Sequence, residues 1–278
     1  MTDDAGDRNE EGPFPIEHDV PRLARVRNVI TGGGANFSAD RKAAESLAAA
    51  APTGFDGLRG VVEAMHKFIL RGVRTVADES DVRQFLHIGT TTPETGIVHE
   101  HVLPLVPDAH IVYASYDTTT LAHAHGLWRD APDGAVGHVH SPFDDPHRIL
   151  QGAAGMLDLD APIAVVLPTS LNVVTDDVAQ KLVDALRHTL VAGSYLVMAQ
   201  TSLDIYAEGA AEVVDLLNQV LEEPYVPRTE REIAHHLEGF DLIEPGLVPV
   251  ERWRPDGDPP YLPEPQLIPI FAAVGLKP

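Results

Sequence analysis

The sequence predicts an α/β fold: a Rossmann-like, seven-stranded, mostly parallel sheet with an antiparallel edge strand and an N-terminal helical cap. Three observations predict it. Short apolar runs alternate with helical stretches between residues 83 and 200, the order that builds a parallel sheet with right-handed crossovers. The first run, Gln84-Phe85-Leu86-His87-Ile88, ends on a turn at Gly89. Two extended stretches, 246–253 and 267–276, come late and close together, which suits an antiparallel pair at one sheet edge.

The elements follow in order. Ser38-Ala39-Asp40-Arg41, followed by Ala43, Ala44 and Leu47, reads as a capped helix. Thr31-Gly32-Gly33-Gly34 before it is a loop, too short of Lys and Ser/Thr for a phosphate loop. Val61, Met65, Phe68, Ile69, Val73 and Val76 recur at helical spacing. After the first strand come a helix over 98–106 interrupted by Pro104, a strand at 111–114, a helix over 118–128 and a strand at 135–140. Ile163 to Leu167 is wholly apolar, as in a strand buried on both faces. Asp176 and Asp177 open a helix with Val178, Leu182, Leu186 and Leu190 on one side, and a fifth strand covers 195–199. Helices over 212–221 and 229–237 and a Pro-rich stretch, 254–265, complete the chain. The expected division is a disordered acidic tail (1–20), a helical cap (21–80) and a Rossmann-like core (81–278).

Composition narrows the function. The chain has 278 residues, 44% of them apolar, enough for a sizeable core. A formal net charge of −22 repels nucleic acid and anionic membranes, so neither is expected as a partner. There is no cysteine, which removes disulfides, thiolate catalysis and Cys-type zinc sites. No apolar run reaches the length of a membrane span and the polar start is unlike a signal peptide, so a soluble, cytoplasmic protein is expected.

The local sequence is more specific. Asn36-Phe37-Ser38-Ala39-Asp40-Arg41, Val82 to Thr90, Val98-His99-Glu100, Ile111-Val112-Tyr113, Leu157 to Pro162 and Gly193-Ser194-Tyr195-Leu196 follow one another in order. On these stretches, with a match continuing over 240–253, the chain resembles the actinobacterial S-adenosyl methyltransferase family, once catalogued as a domain of unknown function. The resemblance implies the class I methyltransferase fold and an S-adenosylmethionine site around Gly89, Thr90, Thr91, Ser115, Tyr116, Asp117, Pro142 and Phe143.

The chain departs from the family pattern at the polar positions. Family members read Asp-Ile-Gly-x-Gly after the first strand; here the run is His87-Ile88-Gly89-Thr90-Thr91. The acid that accepts both ribose hydroxyls at the end of the second strand is Ser115, with Asp117 two residues on. The Asp near the adenine amino group is Pro142, which has neither a side-chain acceptor nor an N–H. The family's Tyr-Asp-Tyr, Lys-Asp and Asn-Arg are Arg27-Asn28-Val29, Gly34-Ala35 and Met65-His66. Apolar scaffold positions match while polar ones do not, so the expectation is an eroded site holding no S-adenosylmethionine, or holding it weakly.

Histidines stand at three altered positions, His66, His87 and His140, and neutral imidazoles near pH 7 serve as general acid and base. These are the candidate catalytic residues; Gly32, Gly33, Asn36, Thr169, Ser170 and Asn172 are the candidate substrate-binding ones, and no metal is expected. The leading expectation is a methyltransferase-like protein acting on a small organic molecule without methyl transfer, for example by acid/base cyclisation or rearrangement in specialised metabolism. Two alternatives stay open: a methyltransferase with a non-standard cofactor site, and a non-catalytic paralogue that binds a ligand or partner. The expected partner is a small-molecule ligand, with a homodimer left open.

Overall fold

In a computed structural model, strand β1 (Gln84–Ile88) is buried along its whole length and stands in the middle of the sheet. The structure describes residues 17–89, 98–119, 131–205, 207–255 and 268–278. Thr90, Thr91, residues 1–16 of the acidic tail, most of the 118–128 segment with Trp128, and most of the Pro-rich stretch lie outside the described residues.

β1 pairs in parallel with β2 (His110–Ser115) on one side and β4 (Ala164–Pro168) on the other. β3 (Val136–His140) extends the sheet beyond β2 and β5 (Tyr195–Thr201) beyond β4, again in parallel. β8 (Ile270–Leu276) then runs antiparallel to β5 over seven residue pairs, Tyr195↔Leu276 to Thr201↔Ile270. The strand order reverses between β1 and β4, and such a switch point opens a crevice beyond the carboxyl ends of the strands.

The sheet has eight strands, not seven. The extra one arises because the outer partner of β8 is broken in two. β6 (Asp241–Leu242) pairs with Leu276 and Gly275, while β7 (Val248–Pro249) pairs with Ala272 and Phe271. Gly246 between them has φ +85, a turn conformation that interrupts a strand. The extended stretch expected over 246–253 is therefore short and passes into a 3-10 turn, Val250–Arg252. The helix after β1, α4 (Val98–Val102), likewise stops short of Pro104, where a proline removes the next backbone donor.

Alternation along β1 divides the core. Phe85 joins a cluster with Ile111, Val166 and Val197, whereas Leu86 and Ile88 join one with Val112, Val165 and Met198, because successive strand side chains point to opposite faces. The Phe85 face is covered by α3 (Gly54–Glu79) through Met65, Phe68, Ile69, Val73 and Val76, and by the wholly buried Trp253. α3 lies close to the sheet because Gly72 faces β5; a Cβ there would lie 2.7 Å from Val197 Cγ1. The Leu86 face is covered by α5 (Pro146–Ala153) and α6 (Asp176–Thr189).

α3 has a second role. Its first turns reach past the sheet to meet α1 (Leu23–Ile30) and α2 (Ser38–Ala50). α2 also packs against α7 (Ala210–Val220). These four helices form a roof over the carboxyl ends of β4 and β5. No described helix is long and apolar enough to cross a membrane.

Candidate functional site

Two regions lie above the carboxyl ends of the strands. The first is the crevice at β1, β2 and β3. His87 is buried near the end of β1, with its ring 5.3 Å from that of Tyr113. Burial pulls its pKa down to about 4, so the imidazole is neutral near pH 7. Gly89 presents its bare side to this ring: a Cβ would lie 2.6 Å from His87 Cε1 and 2.7 Å from Pro168 Cγ. The close approach that glycine permits is taken up by the protein's own side chains.

At the end of β2, Ser115 is buried and its hydroxyl accepts the Asp117 N–H at 3.1 Å. Asp117 accepts the Thr119 N–H at 3.0 Å and lies 3.4 Å from Arg25 Nη1. Arg25 also pairs with Asp40 at 3.1 Å, and all three side chains are buried. Asp40 in turn accepts the Phe37 N–H that opens α2, so one buried ionic cluster joins α1, α2 and β2.

Tyr116 and Phe143 meet edge to face with their ring centres 5.1 Å apart. The Tyr116 hydroxyl donates to Glu223 at 2.8 Å, and burial together with that carboxylate raises its pKa. His140 Nε2 lies 3.0 Å from the Tyr116 carbonyl oxygen, to which it donates when protonated there. Pro142 follows with no side-chain acceptor; its carbonyl accepts from the Ser141 hydroxyl at 3.1 Å.

The second region lies beneath the helical roof. A cavity of about 480 Å³ is walled by Leu23, Val26, Leu47, Leu58, Val62 and Val213 among other apolar residues, with Arg27, Thr201 and Tyr225 supplying polar groups. Arg27 comes from α1, is 8% exposed, and donates to Thr169 Oγ1 at 2.8 Å and to the Tyr225 hydroxyl. Burial lowers its pKa. Tyr225 shares a hydrogen bond of 2.7 Å with Thr201, at the end of β5. Thr169, wholly buried, has left-handed backbone (φ 58) at the start of a 3-10 turn over Ser170–Val173.

His66, on α3, is within electrostatic reach of both Arg27 and His87. Burial, and then the Arg27 charge, push its pKa down to about 3. Its Nε2 is buried with no hydrogen-bond partner among the described residues.

The expected site residues thus separate. Thr169 meets Arg27, the Arg27 charge acts on His66, and His87 lies against Tyr113 and Gly89. His140 stands apart, two strands from β1, bound to a backbone carbonyl. Ser170 and Asn172 are engaged with backbone. Ser170 donates to the Ile88 carbonyl; the Asn172 amide accepts from Thr201 N at 2.9 Å and donates to Val226 O at 2.7 Å. Both are wholly buried and serve as backbone clamps. Gly32, Gly33 and Asn36 also make a self-contained loop away from the cavity wall. Gly32 takes φ +83, a Cβ on Gly33 would lie 2.1 Å from Asn28 Nδ2, and Asn36 donates to Asn28 and to the Gly33 carbonyl, both at 2.8 Å. Sequence reasoning overlooked Thr201 and Tyr225 and noted Arg27 only as a departure. The available signals were a charge within the apolar stripe Leu23, Val26, Ile30 and a hydroxyl at a strand's carboxyl end. Among the described residues no three His, Asp or Glu side chains gather as metal ligands.

The profile of a family described as S-adenosyl methyltransferase matches residues 9–278. Among solved structures, the chain is similar to a candidate methyltransferase from Thermobifida fusca, with 31% identity and a TM-score of 0.85 over 97% of this chain and 99% of that one. It is similar to a DUF574 family protein from Streptomyces avermitilis, with 28% identity and a TM-score of 0.85 over 94% of this chain and 99% of that one. An O-methyltransferase family protein from Burkholderia thailandensis shares the fold at 13% identity and a TM-score of 0.52, over 80% of this chain and 58% of that one. No curated protein matches.

Proposed function

The chain belongs to the S-adenosyl methyltransferase family, and from that premise we propose that it keeps the family's fold but binds a small organic molecule without transferring a methyl group. One observation carries the reading: among the described residues, His87, Ser115 and Pro142 stand where the family pattern has a carboxylate at each of the three strand ends. Asp117, two residues beyond Ser115, is buried and paired with Arg25. Ser115 is occupied with the Asp117 N–H, and the His87 ring lies against Gly89. A planar base held between two rings needs them about 7 Å apart, twice a van der Waals contact; Tyr116 and Phe143 touch each other instead. The residues present do not fit S-adenosylmethionine.

The magnitudes favour this reading. Each hydrogen bond to a charged acceptor contributes about 1.5–3 kcal/mol. Losing three removes roughly 4–9 kcal/mol from the roughly 8 kcal/mol of a micromolar complex, leaving a dissociation constant of about 1 mM or weaker. Titration calorimetry with S-adenosylmethionine and S-adenosylhomocysteine tests this. No saturable binding below about 1 mM is expected; a micromolar constant for either compound overturns the reading.

A second reading, acid/base turnover of the bound molecule, draws on two buried imidazoles, His66 and His87, that act on one another electrostatically. Their pKa values of about 3 and 4 make both weak bases at neutral pH, where a general base works best near the ambient pH. Binding is therefore the better supported role.

A further inference from the structure

We propose that the cavity under the helical roof is a binding site for an apolar monocarboxylic acid, with its carboxylate on Arg27 and its apolar body between α1, α3 and α7. The inference rests on the reading above only in taking the ligand to be a small organic molecule; it does not depend on what the crevice binds.

Four features of the site lead there. At about 480 Å³ the cavity falls in the range that encloses a drug-sized molecule. Its wall is aliphatic, with half-buried Leu58, Val61 and Val213 turned towards it, so the body of the ligand is apolar. Of the polar residues in the wall, which also include Thr53 and Glu208, Arg27, Tyr225 and Thr201 are joined by hydrogen bonds. A guanidinium only donates, so the group that meets it must accept, and a carboxylate matches its paired donors best. Thr169 holds Arg27 from behind, which orients the fork before any ligand arrives.

Charge limits the rest of the molecule. Glu208 lines the cavity and is exposed, and the chain carries a net charge of −22. Both disfavour a second anionic group. A monoanion whose charge is carried inward to Arg27 meets these conditions; a nucleotide or a dicarboxylate does not.

Titration calorimetry on the full chain, with dodecanoate and naphthalene-2-carboxylate each set beside its primary amide, tests the assignment. At least one acid is expected to bind about tenfold or more tightly than its amide, as a charge-assisted contact requires. Arg27→Met is expected to erase that preference, and Val61→Trp, which fills the cavity, to abolish binding of acid and amide alike. The assignment is overturned if neither acid binds, if acid and amide bind equally, or if the preference survives Arg27→Met. Should Arg27→Met fail to fold, Val61→Trp decides alone, because acid binding that persists there lies elsewhere. A parallel titration with S-adenosylmethionine keeps the two readings apart. Micromolar binding of that compound sinks the non-methylating reading and leaves the acid result standing; failure of the acids leaves the state of the crevice untouched.

Discussion

The crevice at β1–β3 and the cavity under the roof lie side by side, yet they differ in one physical respect. In the crevice, protein groups satisfy one another: His87 against Gly89, Ser115 with Asp117, Asp117 with Arg25, Tyr116 with Phe143 and Glu223. In the cavity, mostly apolar walls face open space, and Arg27, Thr201 and Tyr225 form one hydrogen-bonded group among them. A site whose groups already pair internally must break those contacts to admit a ligand, and each broken buried contact costs free energy. A cavity that is already formed avoids that cost.

Acid should break the floor beneath both regions, with the largest effect. His66 and His87 have folded pKa values of about 3 and 4, below the roughly 6.5 of an unfolded chain. Between those values the unfolded state binds more protons, so stability is complete above about pH 6.5 and falls as pH drops towards 4 and then 3. Full protonation costs roughly 3–5 kcal/mol for each group. Urea titrations at pH 7.5, 6 and 5 should show the midpoint falling, and His87→Phe should flatten the slope. Equal stability at pH 7.5 and 5 contradicts the burial of these imidazoles.

Removing a charge from the crevice should come next. Arg25→Met leaves Asp40 and Asp117 buried without their cation, and breaking one side of a buried pair costs about 3–5 kcal/mol. Val213→Ala at the cavity wall should cost less than about 1 kcal/mol, because part of that side chain already borders space. Similar losses for the two variants, measured by denaturant unfolding, would erase the distinction between the regions.

A smaller effect tests the packing of His87. Gly89→Ala should destabilise by about 1–3 kcal/mol, since the added methyl meets His87 and Pro168. In a His87→Ala background much of that cost should vanish, giving a coupling of about 1 kcal/mol or more in a double-mutant cycle. Additive losses would mean that His87 is not what Gly89 accommodates. The smallest change is Tyr116→Phe, which removes the hydrogen bond to Glu223 and should cost about 1 kcal/mol. It leaves the ring on Phe143, so S-adenosylmethionine should still fail to bind; a gain in its affinity would mean that the hydroxyl tie, not the missing carboxylates, keeps the crevice closed.

Much of this molecule was legible in its sequence. Alternating apolar runs gave the parallel strands, because a strand buried on both faces must be apolar throughout, as at Ile163 to Leu167. His87, Ser115 and Pro142 were visible as replacements because a recognisable scaffold fixed their positions. The split of the outer strand into β6 and β7 was not visible, since two-residue strands carry no periodicity of their own. The backbone bonds of Ser170 and Asn172 were not visible for a related reason: a hydroxyl or amide that clamps backbone looks the same in sequence as one that meets a ligand.

What the sequence determined by itself was the layering and the chemistry at each strand end, because periodicity and residue type are local properties. Only the tertiary structure decided which groups pair: Arg25 with Asp117 is a contact across 92 residues, Tyr116 with Glu223 across 107, and Arg27 with Thr169 across 142. No local pattern encodes such partners, because they meet only after helices and strands have packed. That packing paired these groups and left the cavity beneath the roof.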